Sequence, residues 1–593
     1  MIAIVVGILA ILGVYIVLAN RDSGGGDPDG RPAQRREGCV PLEISASSEK
    51  AALLGQMADE YIRADRRFGG KCADPNVTSK ASGAALDALA AGWNEGRDGP
   101  VPQVWTPASS SWVELLRQRL SATDKGGLVP DGKIPTVAQS PLVLALPKPM
   151  AEALGWPDKP IGWSDVLGLS NDPQGWGSKG HPEWGRFKLG KTNPHFSTSG
   201  LNATVGAYFA ATGRSTDLTE KDLADPKVLQ YVRSVESGVV HYGDTTLTFL
   251  ANLAAADQAG RGLSYISAVA IEEKSVYDFN QGNPTGDPAL VGKGAKPRVP
   301  LVAVYPKEGT LLSDHPFVVL STASDEQKAA AEDFLKYVRD PERQRRFTDA
   351  AFRTYEGKGG AGLSRANGLL PDAAFTVIDP PSPVVLDKAL KTWDSQRKRA
   401  RVLLVLDVSG SMNNGAGSNN QSRLELAKSA ALQALGLLAP DDEVGLWTFS
   451  TEVGGAATPY TSRVDVGALS ANRAKIEQVV KGLSAEGGTA LYATTRAAQQ
   501  KLAASADPSR INAVVVLTDG KNEYAKDSDL AALVRDVDTA EKEIPVRVFT
   551  IAYGGQADLG VLQRISAASR AAAYDASDPT TIDKVLTNVL SNF

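Results

Sequence analysis

One stretch limits the fold more than any other: Arg401–Met412, RVLLVLDVSGSM, an apolar run that stops on Asp407 and turns into small hydroxyl residues. Val402 to Leu406 carry neither charge nor polar alternation, which reads as a parallel strand covered by helices on both faces. Beyond it Asp407, Ser409 and Ser411 alternate with Val408 and Gly410. In a loop leaving the carboxyl end of a strand, this spacing turns three oxygen side chains toward one point, and Gly410 allows close backbone approach.

Two downstream pieces supply what a metal site there needs. EGGTALY puts Thr489 after a double glycine at the start of a helix, and NAVVVLTDGKN is a second apolar strand, Ala513 to Leu517, ending on Thr518 and Asp519. Hydroxyls and carboxylates without His or Cys form a hard-cation set, suited to Mg²⁺, Mn²⁺ or Ca²⁺ and unsuited to zinc. In these residues the chain resembles the von Willebrand factor A family, whose metal-ion-dependent adhesion site reads D-x-S-x-S, then Thr, then Asp. All five positions match: Asp407, Ser409, Ser411, Thr489 and Asp519. The resemblance implies that both Ser and the Thr touch the metal, that the Asp residues often act through water, and that a partner's carboxylate completes the shell. Each piece alone also suits a plain strand end at a helix cap; order and strand context make the combination specific.

At 593 residues the chain is too long for one core, and about three or four units are expected. Hydrophobic content of 42% and charged content of 22% are those of a globular protein. A net charge of −5 supplies no basic field for nucleic acid. Ile2 to Ala19 is a run of 18 uncharged residues, at the lower range of a membrane-spanning helix, so 1–20 reads as a transmembrane helix or signal anchor. A secretory signal peptide with Val17-Leu18-Ala19 at its cleavage site is the other reading; the length of the apolar run favours the anchor. No Lys or Arg precedes the run, so the positive-inside rule leaves orientation open. Residues 21–38 form a flexible polar linker. Just beyond it lie the chain's two cysteines, Cys39 and Cys72, and two Cys confined to one subregion of an exported chain indicate a disulfide. Such a bond favours an extracytoplasmic body on a single-pass cell-membrane protein.

From 39 to 400 short apolar strands alternate with amphipathic helices, an α/β organisation. PLEISASS, PQVWTPASS and FKLGKTNPHFSTS each end in a hydroxyl-rich turn at a helix start, where free backbone N–H groups and hydroxyls hold an anion or polar ligand. Three such turns point to one cleft. Here the chain resembles the periplasmic-type extracellular solute-binding proteins, in particular the two-lobed class with the molybdate-binding and related anion-binding proteins. The resemblance rests on Ser47 and Ser48, on Ser109, Ser110 and Ser111, on Ser197, Thr198 and Ser199, and on VYPKEGTLLSDHPFVVL from Val304 to Leu320. It implies a type II periplasmic-binding-protein-like fold whose lobes bind a small polar or anionic solute, with crossings near 140–147 and 300–306. Plain helix capping accounts for the same Ser residues, and no Arg stands in the turns to grip an anion. Tyr265 reads as a donor to the cleft or as a buried Tyr satisfied by backbone, and Trp176 and Trp184, beside a Gly-rich loop, as an aromatic recognition surface or as single packing anchors.

From 401 to 593 helices and strands alternate again, giving a doubly wound, Rossmann-like sheet whose ligands bind at the carboxyl ends of the strands. The only His residues, His181, His195, His241 and His315, stand in no catalytic or metalloprotease motif, and no phosphate-binding loop is present. The expectation is a binder and not an enzyme: a membrane-anchored protein whose metal site, Mg²⁺ by default, takes a protein partner's carboxylate. The alternative is a small-solute receptor that delivers ligand or signal to a membrane transporter or sensor.

Overall fold

The computed structural model describes residues 36–593, apart from 122, 124, 417–420, 452, 454–457, 540, 541 and 543. The expected membrane segment and nearly all of the linker fall outside the described residues. Among the described residues no helix is long and apolar enough to cross a membrane. The chain divides into two compact units, one made of 36–238 and 245–396, the other of 239–244 and 397–593.

The first unit holds two sheets. In the first, Val40–Ala46 lies between Lys71–Ser79 and Val104–Thr106, parallel to both. Ala46 stands opposite both Ser79 and Thr106, so all three strands end level. Each then feeds a helix, Ser48–Arg63, Ser82–Ala91 or Ser110–Leu120, whose first turn opens on the same edge. The second sheet is built on Ala138–Pro147, buried at nine of ten positions, as a central strand must be. Ala268–Glu272 and Leu301–Val304 pair antiparallel with it, and Leu189–Thr192 runs parallel to Ala268–Glu272. Helix Thr198–Thr212 follows, buried continuously from Thr198 to Phe209, so that every side of it is packed.

The chain passes from the first sheet to the second on entering Ala138–Pro147, and returns between Leu312–Ser313 and Val318–Val319, which pairs with Val104–Thr106. The first passage stands at the edge of the expected window 140–147, and the second follows the window 300–306. The windows 140–147 and 300–306 are apolar because they are strands of the second sheet; the passages themselves are short and carry polar residues such as Asp314 and His315. A single apolar cluster draws Leu86, Trp112 and Leu116 from helices on the first sheet, Leu201 and Tyr208 from the second lobe, and Leu386 and Leu390 from the closing helix Pro383–Gln396.

The second unit is a six-stranded sheet in the order Tyr460–Ala468, Glu443–Phe449, Arg399–Asp407, Arg510–Thr518, Val546–Tyr553, Ala573–Ala576. Tyr460–Ala468 is antiparallel and the rest are parallel. Numbered by chain order the strands run 3-2-1-4-5-6, the doubly wound arrangement, with its switch point between Arg399–Asp407 and Arg510–Thr518.

Cys39 and Cys72 are joined, closing a sequence separation of 33 residues. The register explains the bond: Val40 pairs with Ala73, so the two cysteines precede partners on adjacent strands and their Cα atoms lie 4.7 Å apart. Loop-closure entropy assigns such a cross-link about 3 to 4 kcal/mol. Replacing both by Ser is expected to lower the unfolding free energy of the first unit by about that amount, read as a lower urea midpoint with unchanged far-ultraviolet circular dichroism in buffer.

Candidate metal centre and inter-lobe cleft

At the switch point of the second unit the five hydroxyl and carboxylate residues meet. Leu406 pairs with Leu517, so Asp407 at the end of one strand and Asp519 just past its neighbour leave the sheet side by side. Gly410 N–H donates to the Gly487 carbonyl and Glu486 N–H to that of Val408, each at 2.8 Å, which ties the D-x-S-x-S loop to the glycine loop carrying Thr489. The Ser409 and Ser411 hydroxyls lie 3.1 Å apart, Ser411 Oγ donates to Asp519 Oδ1 at 2.6 Å, and Thr489 Oγ1 donates to Ser409 Oγ at 3.3 Å. Asp407, Ser409, Thr489 and Asp519 are all at most 1% exposed, while Ser411 is half-buried and opens the cluster outward.

The two carboxylates differ in their countercharge. Arg423, the first residue of helix Arg423–Ala434, pairs with Asp519 Oδ2 at 2.8 Å. Among the described residues Asp407 receives only neutral donors, Ser409 N–H at 2.8 Å and the Thr518 hydroxyl at 2.6 Å. Burial, reinforced by the neighbouring Asp519, pushes its carboxyl up to about 7. The donor set therefore fits a hard divalent cation: it is all oxygen, clustered, and contains a buried carboxylate short of positive charge. Among the described residues no group of three or more His, Cys, Asp or Glu is arranged to hold a metal ion. Arg423 was not singled out from the sequence, although a cation in the first turn of a helix stands where the helix dipole disfavours it.

Two of the three hydroxyl turns of the first unit also converge, while Ser109, Ser110 and Ser111 do not line the cavity where they meet. Ser48, Glu49, Ser82, Ser197, Thr198 and Thr245 line one cavity of about 10 Å³, room for about a single water molecule. The turns are not free. Ser47 Oγ accepts from the Lys50 ammonium at 2.7 Å, Ser109 Oγ accepts from Ser111 N–H as a helix cap, and Ser110 donates through N–H and hydroxyl to Asp314. Thr198 Oγ1 accepts from Trp112 Nε1 at 2.8 Å, and Ser199 Oγ lies 3.1 Å from Ser197 Oγ and 2.7 Å from Thr246 Oγ1. Tyr265 does not line the cavity; it is 4% exposed in the core of the second lobe, edge-on to Phe249. Its place in an apolar sequence context signals core as readily as ligand contact. Trp176 is fully buried, donates to Ser267 Oγ and meets Trp184 edge-on.

Sequence reasoning missed the charged residues beneath these turns: Glu49, Lys50, Glu272 and His315, all buried. Burial lowers the Lys50 ammonium against the pull of Glu49 and Glu272, and raises the Glu272 carboxyl against the pull of Lys50 and Lys274. His315 is held well below its usual range by burial and by Lys50.

A family model described as bacterial extracellular solute-binding protein matches residues 42–353, and one described as von Willebrand factor type A domain matches 402–521. An uncharacterized protein of Mycobacterium tuberculosis strain CDC 1551 / Oshkosh, and another of strain ATCC 25618 / H37Rv, are each 24% identical over 532 residues, covering 88% of this chain and 72% of theirs. Among solved structures, a periplasmic thiamin binding protein aligns over 62% of this chain and 98% of its own, at 12% identity and a TM-score of 0.40. The sulfate-binding protein SubI from M. tuberculosis H37Rv aligns over 60% of this chain and 99% of its own, at 14% identity and a TM-score of 0.36. A von Willebrand factor type A structure from Catenulispora acidiphila covers 33% of this chain and 42% of its own, at 20% identity and a TM-score of 0.27. With more than half its length matched by the first model, the chain belongs to the bacterial extracellular solute-binding protein family and carries a von Willebrand factor type A domain behind that module.

Proposed function

We propose that this chain is a membrane-anchored, extracytoplasmic binding protein that engages a protein partner through a divalent-metal adhesion site and carries a solute-binding-like module. The observation that carries the reading is the meeting of Asp407, Ser409, Ser411, Thr489 and Asp519 at the switch point, with Asp407 buried and given no cationic partner among the described residues. Those five residues would hold the ion. Mg²⁺ is the default, because it favours octahedral oxygen and retains waters that a partner displaces; Mn²⁺ fits the same groups and Ca²⁺ the same donor chemistry. The bound ion supplies an electrophilic position that a carboxylate from the partner completes. Asp407 and Asp519 supply the negative charge, the three hydroxyls supply neutral oxygen, and Arg423 keeps Asp519 oriented. An extracellular solute-binding family and a disulfide both favour an extracytoplasmic body, and the apolar run from Ile2 to Ala19 supports the anchor. Both matched families are of binding type, in line with a binder and not an enzyme.

Membership of the solute-binding family favours a second reading, a small-solute receptor serving a membrane transporter or sensor. Under it the three hydroxyl turns face a ligand, and titration of the full chain with small polar solutes raises its melting temperature as the concentration passes the dissociation constant.

Asp407→Ala is expected to abolish divalent-dependent association with a partner found by crosslinking, while circular dichroism stays unchanged, because Asp407 ends its strand outside the apolar interior. Binding that ignores both chelator and this substitution would sink the adhesion reading. A subtler change is Gly520→Ala, whose Cβ would stand 2.5 Å from Thr489 Oγ1 and push that hydroxyl away. It should weaken Mn²⁺ binding by about ten-fold, the scale of losing one supporting contact around a metal, with the titration followed by electron paramagnetic resonance.

A further inference from the structure

The closed cleft of the first unit is filled by the chain itself. Lys50 is fully buried in the first turn of helix Ser48–Arg63, where both burial and the helix dipole oppose a cation. Fixed acceptors hold it there: its ammonium donates to Ser47 Oγ at 2.7 Å, to the Thr106 carbonyl at 2.7 Å and to the Pro107 carbonyl at 3.0 Å. These groups stand at the carboxyl edge of the first sheet, the edge at which ligands of α/β folds bind. His315 Nδ1 lies 3.3 Å from the ammonium, and His315 Nε2 lies 3.6 Å from Glu272 Oε2 on the second lobe. The Glu272 carboxylate is 1% exposed and lies beside the Ser313 hydroxyl. A line of buried ionisable groups thus runs from Lys50 through His315 at the second crossing to Glu272 on the other lobe.

The lobes are also joined directly. Trp112 donates across the cleft to Thr198, and Gly83 N–H donates to the Phe196 carbonyl at 3.0 Å. Gly83 is required there: a Cβ would collide with the His195 carbonyl and stand 2.8 Å from Phe196 Cα. The apolar cluster continues from Leu86 and Trp112 into Leu201 and Tyr208, and helix Pro383–Gln396 packs on helices of both lobes. At the crossings, Val137 N–H donates to the His315 carbonyl and His315 N–H to that of Ala108, while His315 itself sits at φ 43°, in the left-handed region. Hinge opening has to expose Trp112 and Leu201 and release a buried, conformationally specialised residue.

We propose that the solute-binding module of this chain is self-liganded: the Lys50 ammonium takes the position a solute's cationic group would take, and the two lobes remain closed on each other as one rigid body. The inference rests on the family membership of the first unit and is independent of the metal-site reading. It predicts that the cleft accepts an alkylammonium only when Lys50 is gone.

The test uses the full chain. Lys50→Ala should melt several degrees below the parent, and n-butylammonium chloride should restore most of that loss, whereas sodium chloride at equal concentration should not. The parent should not respond to n-butylammonium. Should Lys50→Ala fail to fold, Lys50→Met keeps the chain length and fills the space, and a second measurement on the parent is independent of either variant. With Cys introduced at the exposed positions Glu95 and Lys227, one on each lobe, spin labels should report a single narrow distance in the parent. A second, longer distance in the parent, an n-butylammonium response of equal size in the parent, or a Lys50→Ala chain that melts like the parent would each overturn the proposal.

Discussion

Parallel strand pairing without offset is the constraint on which both sites rest. Where neighbouring parallel strands end level, every loop that leaves them starts from one line, and short polar side chains on different loops come within bonding distance without long reaches. In the first unit Ala46, Ser79 and Thr106 share that line, and in the second Leu406 and Leu517 do. The cost of bringing oxygen atoms together in this way is buried negative charge. The two units meet that cost differently: the second leaves Asp407 without a cation beside it, and the first places Lys50 among its acceptors.

Much of this was legible in the sequence because apolar runs and hydroxyl turns alternate so regularly. The strand ending on Asp407, its partner ending on Thr518, and the disulfide between the only two cysteines could be read from residue type and order. What could not be read was which apolar run was a crossing. Ala138–Pro147, a central strand, and Leu301–Val304, which pairs with its far end, look like connectors between lobes, because a buried strand and an apolar passage share one composition. Tyr265 reads either way, as a cleft donor or as a buried Tyr, because the sequence shows an aromatic hydroxyl in an apolar stretch and says nothing of Phe249 edge-on to its ring.

One signal was present and unused. Lys50 and Arg423 both stand in the first turn of a helix, each preceded by a Ser at the cap position. A cation there is opposed by the helix dipole, so its presence asks for a nearby anion or a set of carbonyls. Arg423 finds Asp519 and Lys50 finds Thr106 and Pro107. Serine caps drew attention to these turns as ligand sites; the misplaced cations beside them mark the residues that occupy the turns from within.

Gly83 gives the seam between the lobes its tolerance. A glycine near the start of helix Ser82–Ala91 lowers helix propensity by about 1 kcal/mol relative to alanine. The return comes from the far side, where the backbone of His195 and Phe196 passes so close that only a hydrogen atom fits between. The spacing of the two lobes is thereby set by the smallest distance two main chains can keep. Substitution at this position would act as a wedge, and the size of the side chain introduced would calibrate how far the seam can be forced before the rest of the module yields.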